Sequence, residues 1–250
     1  MSDERPLMYS EFAGWFHLLT APADYAEGAA TYLRDLTEAC AFEPRTMLEL
    51  GSGGGNNASH LKAHFEITLT DLSPEMLALS RTLNPELEHI EADMRTLRLG
   101  RQFDVVFAHD AVSYLLDEES VRQAVRTAWE HLRPGGAALF APDDLAEHWV
   151  EADHSGGHNG ADGRAMRYLE WAHRRGIEAP LYFADYAYLL QDADGTVRVA
   201  KDRHTCAAHP RATWIAAFES CGFAVQVKEL AHSDVEPGST FHFVASKPSA

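Results

Sequence analysis

Short apolar runs alternate with amphipathic segments over most of the chain. The run at 103–108 is rich in β-branched and aromatic residues, which is typical of a buried strand in a parallel sheet. The segments between the runs repeat apolar residues at helical spacing. Strands that alternate with helices predict an α/β fold with a doubly wound sheet and right-handed crossovers. The predicted strands are 46–50, 66–71, 88–91, 103–108, 137–141, 223–230 and 240–246, and the predicted helices are 55–63, 73–81, 117–131 and 210–221.

The alternation of strands and helices stops between residues 144 and 209. This stretch contains a segment rich in Gly, His and Asp at 153–163, which we interpret as a loop. Two strand-like runs follow at 181–190 and 196–205, and the Asp-Ala-Asp-Gly sequence between them is a turn signal for an antiparallel hairpin. The sequence therefore predicts an antiparallel β cap inserted after the fifth strand of the sheet.

The charge of the chain restricts the kinds of partner it can bind. It has 21 basic and 38 acidic side chains and a net charge of −17. A field of this sign repels phosphate backbones, which argues against DNA or RNA as a substrate and is compatible with a neutral or cationic small molecule. An acidic surface without any role in binding explains the charge equally well.

The sequence also predicts a cytoplasmic protein without a membrane anchor. No run approaches the length of about 18 apolar residues that a membrane-spanning helix needs. The first residues are acidic and lack the apolar stretch of a signal peptide. The three cysteines, Cys40, Cys206 and Cys221, are few, odd in number and scattered, which fits reduced thiols better than a disulfide framework or a zinc site.

A glycine-rich turn, Glu-Leu-Gly-Ser-Gly-Gly-Gly at 49–55, lies between the first predicted strand and the first helix of the sheet. Glycine has no Cβ, so such a turn lets the backbone approach a nucleotide closely. The third glycine of a dinucleotide fingerprint would fall at Asn56 or Ala58, which argues against NAD. Asp71 lies 22 residues after Glu49 at the end of the second strand, where Rossmann-like folds bind ribose hydroxyls.

This turn resembles the first motif of the class I S-adenosylmethionine (SAM) methyltransferases, which is acid-aliphatic-Gly-x-Gly-x-Gly. The lead-in at 18–25 and the runs 202–204 and 210–214 resemble bacterial small-molecule N-methyltransferases, including amino-sugar enzymes. The resemblance covers 46–143 and 210–247. It implies a Rossmann-like, seven-stranded sheet whose last strand is antiparallel, SAM as the cofactor with S-adenosylhomocysteine (SAH) as its product, and a role in secondary metabolism.

The resemblance also implies how the chain is divided. Residues 1–45 are expected to be a mainly helical cover over the cofactor and substrate, with a break at Ala21-Pro22. The SAM-binding core is expected at 46–143 and 210–250. The cap at 144–209 would then carry a lid loop and the hairpin.

The resemblance assigns the cofactor contacts chiefly to the ends of the strands. Glu49 is expected to help orient the ammonium group of SAM, Asp71 to accept the ribose hydroxyls, and Asp93 to accept from the adenine amino group. Tyr25, in the cover, is expected to reach the SAM carboxylate. The cofactor-binding residues implied in this way are Tyr25, Glu49, Gly51, Gly53, Gly55, Asp71, Leu72, Asp93, Met94, His109 and Asp110.

Methyl transfer is a displacement at a methyl group that a positive sulfur already activates. The protein has to align the nucleophile and exclude water. An amine acceptor must be unprotonated, and a histidine, with an ordinary pKa of about 6.5, can take its proton near neutrality. The candidate catalytic residues are His154, His158, His204 and Tyr114.

Several alternatives stay open from the sequence. The enzyme could be an O-methyltransferase of a small hydroxylated metabolite, or the chain could bind SAM without catalysis. The segment 153–163 has residue types of a metal site but equally fits a lid or a solvated turn, and we expect no metal. Tyr182, Tyr186 and Tyr188 alternate along the hairpin and suit a substrate wall, core packing or the interface of a homodimer.

Overall fold

The computed structural model describes residues 5–233 and 236–249. The first four residues, on which part of the expectation about a signal peptide depends, lie outside the described residues. The same holds for residues 234 and 235, in the loop between the last two predicted strands, and for residue 250.

Within the described ranges the chain forms eleven strands and six α-helices. The strands are β1 (Thr46–Leu50), β2 (Glu66–Asp71), β3 (Glu88–Glu91), β4 (Phe103–His109), β5 (Leu132–Ala141), β6 (Ala152–Gly156), β7 (Ala165–His173), β8 (Leu181–Gln191), β9 (Val197–Ala207), β10 (Ala224–Glu229) and β11 (Phe241–Ser246). The helices are α1 (Phe16–Leu19), α2 (Ala26–Ala39), α3 (Asn56–Leu61), α4 (Pro74–Leu83), α5 (Glu118–His131) and α6 (Arg211–Cys221).

Seven strands form one twisted sheet in the order β10-β11-β5-β4-β1-β2-β3. β1 pairs in parallel with β2 and β4, and the last strand, β11, runs antiparallel to β5. Helices cover both faces, so the central strands are buried on both sides, as Val105 and Val106 in β4 show. The predicted Rossmann-like, doubly wound sheet is confirmed.

Local sequence signals explain where the helices of this sheet begin and end. The Ser73 side chain accepts a hydrogen bond from the Met76 amide and caps α4, and Asp117 caps α5 in the same way by accepting from the Ser120 amide. Gly222 ends α6 in the left-handed conformation, with φ of 98°. The helices therefore start close to the predicted positions.

Strand β5 begins five residues before the predicted start at 137. Helix α5 ends at His131, as the Arg-Pro-Gly-Gly sequence after it indicates, but the chain pairs with β4 at once, through Leu132 and Phe103. The register then shifts before Val105 pairs with Ala137. This bulge absorbs the proline and glycines that favoured a turn in the sequence.

The inserted cap is a second, four-stranded antiparallel sheet in the order β6-β7-β8-β9. It confirms the predicted cap, and β8 and β9 match the predicted hairpin. The interpretation of 153–163 as a loop was partly wrong, because β6 occupies its first residues. Asp153, His154 and Ser155 are exposed on this edge strand, so no apolar alternation marks it in the sequence.

The segment before α2 is less helical than predicted. Three 3-10 turns, Leu7–Tyr9, Ala13–Trp15 and Pro22–Tyr25, flank the four residues of α1. The segment is held by packing against the cap, where Met8 and Trp15 form one buried cluster with cap residues that include Tyr188. Tertiary contacts thus decide its conformation more than helix propensity does.

Candidate active site

A cavity of about 1100 Å³ lies over the carboxyl ends of the parallel strands. Residues at or just after the ends of β1 to β5 line its floor. The segment before α2 and one face of the cap line its other sides. Ligands bind at this edge in open α/β sheets, so the fold places a large cavity where a cofactor and a substrate can meet.

The glycine turn forms the part of the wall between β1 and α3. Gly51, Gly53 and Gly55 have φ of 70°, 52° and 79°, a conformation that favours glycine. A Cβ on Gly51 would lie 2.4 Å from the Ala111 Cβ, and one on Gly55 would lie 2.3 Å from the Ser80 Oγ. The turn therefore needs glycine both for its backbone and for its close packing.

Glu49 lies under this turn with only 2% of its surface exposed. Its Oε2 has no hydrogen-bond partner among the described residues, and the same holds for the Oδ1 atoms of Asn56 and Asn57 nearby. Burial and the neighbouring Asp71 raise the pKa of Glu49 to about 8. A buried acceptor without a donor costs about 1–3 kcal/mol, so this wall is suited to a ligand that donates hydrogen bonds.

Asp71 ends β2 and points a fixed carboxyl group into the cavity. Its Oδ2 accepts from the Gly53 amide at 2.8 Å and its Oδ1 accepts from the Ser73 amide at 2.8 Å. Burial raises the pKa of Asp71, although both amides oppose that shift. Next to it, Leu72 leaves 53% of its surface exposed and also lines the cavity. An oriented carboxyl group beside an apolar surface suits a nucleoside, because the carboxyl group can accept from the ribose hydroxyls and the apolar surface can pack against the nucleobase.

Asp93 and Met94 follow β3 and line the same end of the cavity. Both carboxylate oxygens of Asp93 accept from Arg95, with the Arg95 Nη2 at 2.6 Å, and this pairing lowers the pKa of Asp93. The Met94 Cε packs under Gly51, where an added Cβ would come within 2.9 Å of it. Arg95 was not predicted as a site residue, although it stands two residues after Asp93 in the sequence.

His109 and Asp110 end β4 and meet Asp143, which follows β5. The His109 Nδ1 lies 2.9 Å from the Asp110 Oδ1, and the carboxyl groups of Asp110 and Asp143 are hydrogen-bonded to each other. Burial and the charge of Asp110 raise the pKa of Asp143 well above its usual range. Burial opposes ionisation of Asp110 as well, but His109 outweighs it and the pKa of Asp110 is lowered. Asp110 therefore ionises more readily than an ordinary aspartate, and Asp143 ionises less readily.

The backbone of Asp110 is itself strained. Its φ is 33°, and it is the one residue other than glycine with positive φ in the part of the chain that the structure describes. Backbone strain of this kind costs about 1–3 kcal/mol and is concentrated at functional sites. Asp110 lines the cavity, so this strained residue lies within the candidate site.

A chain of hydrogen bonds crosses the cap side of the cavity. The Tyr114 hydroxyl lies 2.7 Å from the His204 Nδ1, and the His204 Nε2 lies 3.1 Å from the Asp202 Oδ2. His204 is only 3% exposed, and Asp202 also accepts from the Met8 amide at 2.9 Å. The Tyr9 hydroxyl lies 3.1 Å from that of Tyr114. Three segments distant in the sequence thus share one polar network.

The other predicted site residues fall into two groups. Tyr25 and His154 line the cavity, from the cover side and from β6 respectively. His158 is absent from the described residues that line it. Instead, its Nε2 lies 3.0 Å from the Asp24 Oδ2 and its amide donates to the Leu18 carbonyl, so it joins the cap to the segment before α2.

The hairpin tyrosines divide between two of the roles considered from the sequence. Tyr182 and Tyr186 line the cavity, whereas Tyr188 is fully buried in the cluster with Met8 and Trp15. No group of three or more His, Cys, Asp and Glu side chains that could hold a metal ion is present in the described residues.

Sequence reasoning missed three acidic residues on the acceptor side. Asp143 and Asp144 follow Pro142 directly after β5, and Glu170 lies in β7. Burial raises the pKa of Asp144 and of Glu170. The position of the two aspartates after a predicted strand was the one available signal, whereas nothing in the local pattern marks Glu170.

Comparison with known proteins identifies the family. A family described as a methyltransferase domain matches residues 47–136. A Streptomyces venezuelae protein, dTDP-3-amino-3,4,6-trideoxy-alpha-D-glucopyranose N,N-dimethyltransferase, is 30% identical over 212 residues, which are 82% of this chain and 86% of that protein. The chain belongs to the SAM-dependent methyltransferases. The predicted activity class and the predicted cofactor, SAM, are thereby confirmed.

Solved structures agree with this methyltransferase fold. Streptomyces venezuelae DesVI superposes with a TM-score of 0.83 at 25% identity, over 96% of this chain and 98% of that one. SAM-bound CalS10, an amino pentose methyltransferase from Micromonospora echinaspora, has the same fold, with a TM-score of 0.77 at 22% identity over 98% and 99% of the two chains. None of the described helices is both long and apolar enough to cross a bilayer.

The residues around the glycine turn fit SAM. The carboxyl group of Glu49 lies under the turn with its Oε2 unpaired in the described residues, and the glycines leave room where a Cβ would clash. Asp71 and Leu72 offer an acid and an apolar surface in the same wall. The roles of individual residues toward the cofactor remain predictions.

Proposed function

We propose that this methyltransferase transfers the methyl group of SAM to an amine nitrogen of a small molecule. The hydrogen-bonded chain Tyr114–His204–Asp202, on the cap side of the cavity, is the observation on which the proposal depends. The Streptomyces venezuelae relative is named for N,N-dimethylation of an amino sugar, and a Streptomyces fradiae relative of the same kind is 24% identical over 72% of this chain and 71% of its own length. Both names support nitrogen as the acceptor atom.

When bound, SAM supplies a methyl group made electrophilic by the positive sulfur. The amine lone pair forms the new C–N bond as the C–S bond breaks, and the methylated nitrogen then releases a proton. The protein has to hold an unprotonated amine in line and to take up that proton. The protein itself forms no covalent bond in this reaction.

The hydrogen-bonded chain provides the proton acceptor. Burial disfavours the charge on Asp202, but the hydrogen bond and charge of His204, together with the Met8 and Leu7 amides, outweigh burial and lower the pKa of Asp202. Ionised Asp202 orients the His204 ring, so that Nε2 carries its hydrogen and Nδ1 is free to accept from Tyr114. The Tyr114 hydroxyl, which lines the cavity, takes the amine proton as it passes its own hydrogen to Nδ1, and the Asp202 carboxylate stabilises the imidazolium that forms.

Aromatic side chains surround this acceptor. The rings of Tyr9 and Tyr186 lie 5.3 and 4.8 Å from the ring of His204, and Trp149 packs against Tyr182. Aromatic faces attract amines and ammonium ions and exclude water, which would otherwise keep the amine solvated. We expect His154, at the open edge of the cap, to contact the acceptor as it enters.

The wider proposal keeps the organisation expected from the sequence. Residues 1–45 would cover the two ligands, 46–143 and 210–250 would form the SAM-binding core, and 144–209 would form the cap. The charge of −17 supports a small-molecule acceptor over a nucleic acid. The three cysteines are free thiols, which supports a cytoplasmic location. A homodimer remains a prediction.

Incubation of the full chain with SAM and cyclohexylamine tests the proposal. We expect the amine to gain the mass of one or two methyl groups while an equivalent amount of SAH forms. Cyclohexanol is the matched control and should stay unmodified. Methylation of the alcohol but not of the amine would overturn the proposal in favour of an O-methyltransferase.

A further inference from the structure

Ser73 joins the cofactor end of the cavity to the segment before α2. Its side chain is 2% exposed, and its backbone amide donates to the Asp71 Oδ1 at 2.8 Å. The Ser73 Oγ accepts from the Met76 amide, which caps α4, and donates to the Tyr9 carbonyl at 2.6 Å. The helix cap accounts for the bond that this hydroxyl group accepts, but not for the bond that it donates to a distant segment.

The Tyr9 carbonyl receives the hydroxyl hydrogen of Ser73. The Glu75 Oε2 also lies near the Ser73 Oγ, at 3.1 Å, but the Arg5 Nη1 already donates to that oxygen at 3.0 Å. A hydroxyl group donates one hydrogen, and the Tyr9 carbonyl is the closer of the two acceptors. A buried side chain of the core therefore holds the backbone of the segment before α2.

Tyr9 is the last residue of a 3-10 turn that is closed by its own hydrogen bonds. The Tyr9 amide donates to the Pro6 carbonyl at 3.0 Å, and the Ser10 amide donates to the Leu7 carbonyl at 3.1 Å. Met8, inside the turn, is fully buried. Because these short hydrogen-bonded rings leave the backbone little freedom, a contact that fixes the Tyr9 carbonyl also fixes the Met8 amide.

This turn contacts every member of the hydrogen-bonded chain on the cap side. The Met8 amide donates to the Asp202 Oδ2 at 2.9 Å, and the same oxygen lies 3.1 Å from the His204 Nε2. The Tyr9 ring lies 5.3 Å from the His204 ring, and its hydroxyl lies 3.1 Å from that of Tyr114. The position of the turn thus affects the geometry of the whole chain.

Asp202 needs this support because of its place in the cap. It lies in β9, which is an edge strand of the four-stranded sheet, so a neighbouring strand holds it on one side only. The Met8 amide reaches its carboxylate from outside the cap. Asp202 has to keep its orientation for His204 to present Nδ1 to Tyr114.

We propose that Ser73 is a positioning residue for methyl transfer. Its hydroxyl group holds the Leu7–Tyr9 turn against the core. The turn fixes Asp202 and Tyr114, between which His204 receives the proton. This inference rests on the proposed function, because it takes these three residues as the proton acceptor. Ser73 acts through the turn, so cofactor binding does not depend on its hydroxyl group.

Two substitutions separate this link from the helix cap. Ser73→Ala and Ser73→Gly both remove the hydroxyl group and keep the amide that donates to Asp71. Alanine at this position costs the helix stability, whereas glycine costs little. Both variants should lower kcat with SAM and cyclohexylamine by the same factor, about 10-fold, because each lacks the same hydrogen bond. Their affinities for SAH, measured by calorimetry, should stay within about 3-fold of that of the unmodified protein.

Ala78→Gly is the matched control. Ala78 is exposed on α4, so glycine there weakens the helix and leaves the Ser73 hydroxyl group in place. Its kcat should match that of the unmodified protein. A loss of kcat that follows the loss of Tm, larger in Ser73→Ala than in Ser73→Gly and present in Ala78→Gly, would overturn the inference in favour of helix capping. Unchanged kcat in both Ser73 variants would also overturn it.

Affinity for SAH shows that each variant is folded. If Ser73→Ala fails to bind SAH, Ser73→Gly and Ala78→Gly provide the same comparison. Loss of SAH binding in Ser73→Gly would overturn the inference, because cofactor binding would then depend on the hydroxyl group.

Amide hydrogen exchange, followed by NMR on the SAH-saturated proteins without an amine, gives a readout that does not depend on activity. The Met8 amide should exchange about 10-fold faster in both Ser73 variants and at the unmodified rate in Ala78→Gly. Equal exchange of this amide in all four proteins would overturn the inference. If Met8 exchange responds as expected but the unmodified protein methylates no amine, the proposed function fails while the link from Ser73 to the turn stands.

Discussion

The two ends of the large cavity are built in different ways. The cofactor half consists of the glycine turn 49–55 with Asp71 and Asp93, and its side chains directly follow successive strands of one sheet. The acceptor half consists of Tyr9, Tyr114 and His204 with the acidic residues around them, and it brings together the segment before α2, the end of β4 and the cap. One half is positioned by local geometry and the other by tertiary packing.

This difference separates the half of the site that follows a local sequence pattern from the half that does not. A strand, a glycine turn and an acid after the next strand are typical of cofactor sites in α/β folds. The cap has no such constraint, so its side chains can change with the acceptor. The two halves should therefore respond separately to substitution, and the following changes test that separation.

The largest effect is expected for His204→Ala, in the acceptor half. Loss of the proton acceptor should lower kcat for an amine by about 10²–10⁴-fold. The affinity for SAH, measured by calorimetry, should stay within about 3-fold because His204 lies in the other half. His158→Ala is the matched control, since that residue faces Asp24 outside the cavity, and its kcat should match that of the unmodified protein. A parallel loss of SAH binding in His204→Ala would show that the halves are not independent.

In the cofactor half, Gly51→Ala should weaken SAH binding by about 30-fold or more. The new methyl group would meet Ala111 and Met94 in a backbone conformation that alanine rarely adopts, at a combined cost of about 2–5 kcal/mol. Gly100→Ala is the matched control because Gly100 has a φ of 68° with open space around it. The Gly100→Ala variant has the backbone cost without the steric clash, so its affinity for SAH should be unchanged. Normal SAH binding by Gly51→Ala would remove the glycine turn from the site.

A pH dependence is expected from Glu49, whose folded-state pKa is raised to about 8. Between about pH 4.5 and 8 its carboxyl group is protonated in the folded chain and ionised in the unfolded chain, so it destabilises the fold progressively as pH rises. The Glu49→Gln variant lacks this pH-dependent destabilisation. The Tm of the variant should therefore rise relative to the unmodified protein across that interval. A constant difference in Tm would contradict the raised pKa.

The smallest effect is expected for Asp24→Asn, which breaks the contact with His158. Both side chains are partly exposed, and surface pairs of this kind contribute about 0–1 kcal/mol. The free energy of unfolding in urea should change by no more than this. A larger loss would show that the contact between the cap and the segment before α2 is an important part of the fold.

The sheet could be predicted closely because each signal in it is local. β1, β2 and β3 have the predicted bounds, and β4 ends one residue later than predicted. Their apolar runs are continuous because both faces of the sheet are covered. The cofactor residues followed from the same order of elements, since each stands at the end of a recognisable strand.

The acceptor half could not be predicted to the same extent. β6 is an exposed edge strand whose polar residues carry no period of two, and the segment before α2 takes its shape from the cap. Glu170 enters the site through strand pairing that no local pattern encodes. His158 and His204 are alike as sequence candidates, and only their tertiary surroundings place one at Asp24 and the other in the cavity.

The atom that receives the methyl group tests the account most directly. An aminocyclohexanol presents an amine and a hydroxyl on the same ring, so the enzyme has to choose between them under identical conditions. After incubation with SAM, NMR of the product identifies the methylated atom. The account predicts an N-methyl product and no O-methyl product. An O-methyl product, or SAH formed without any methylated product, would contradict it.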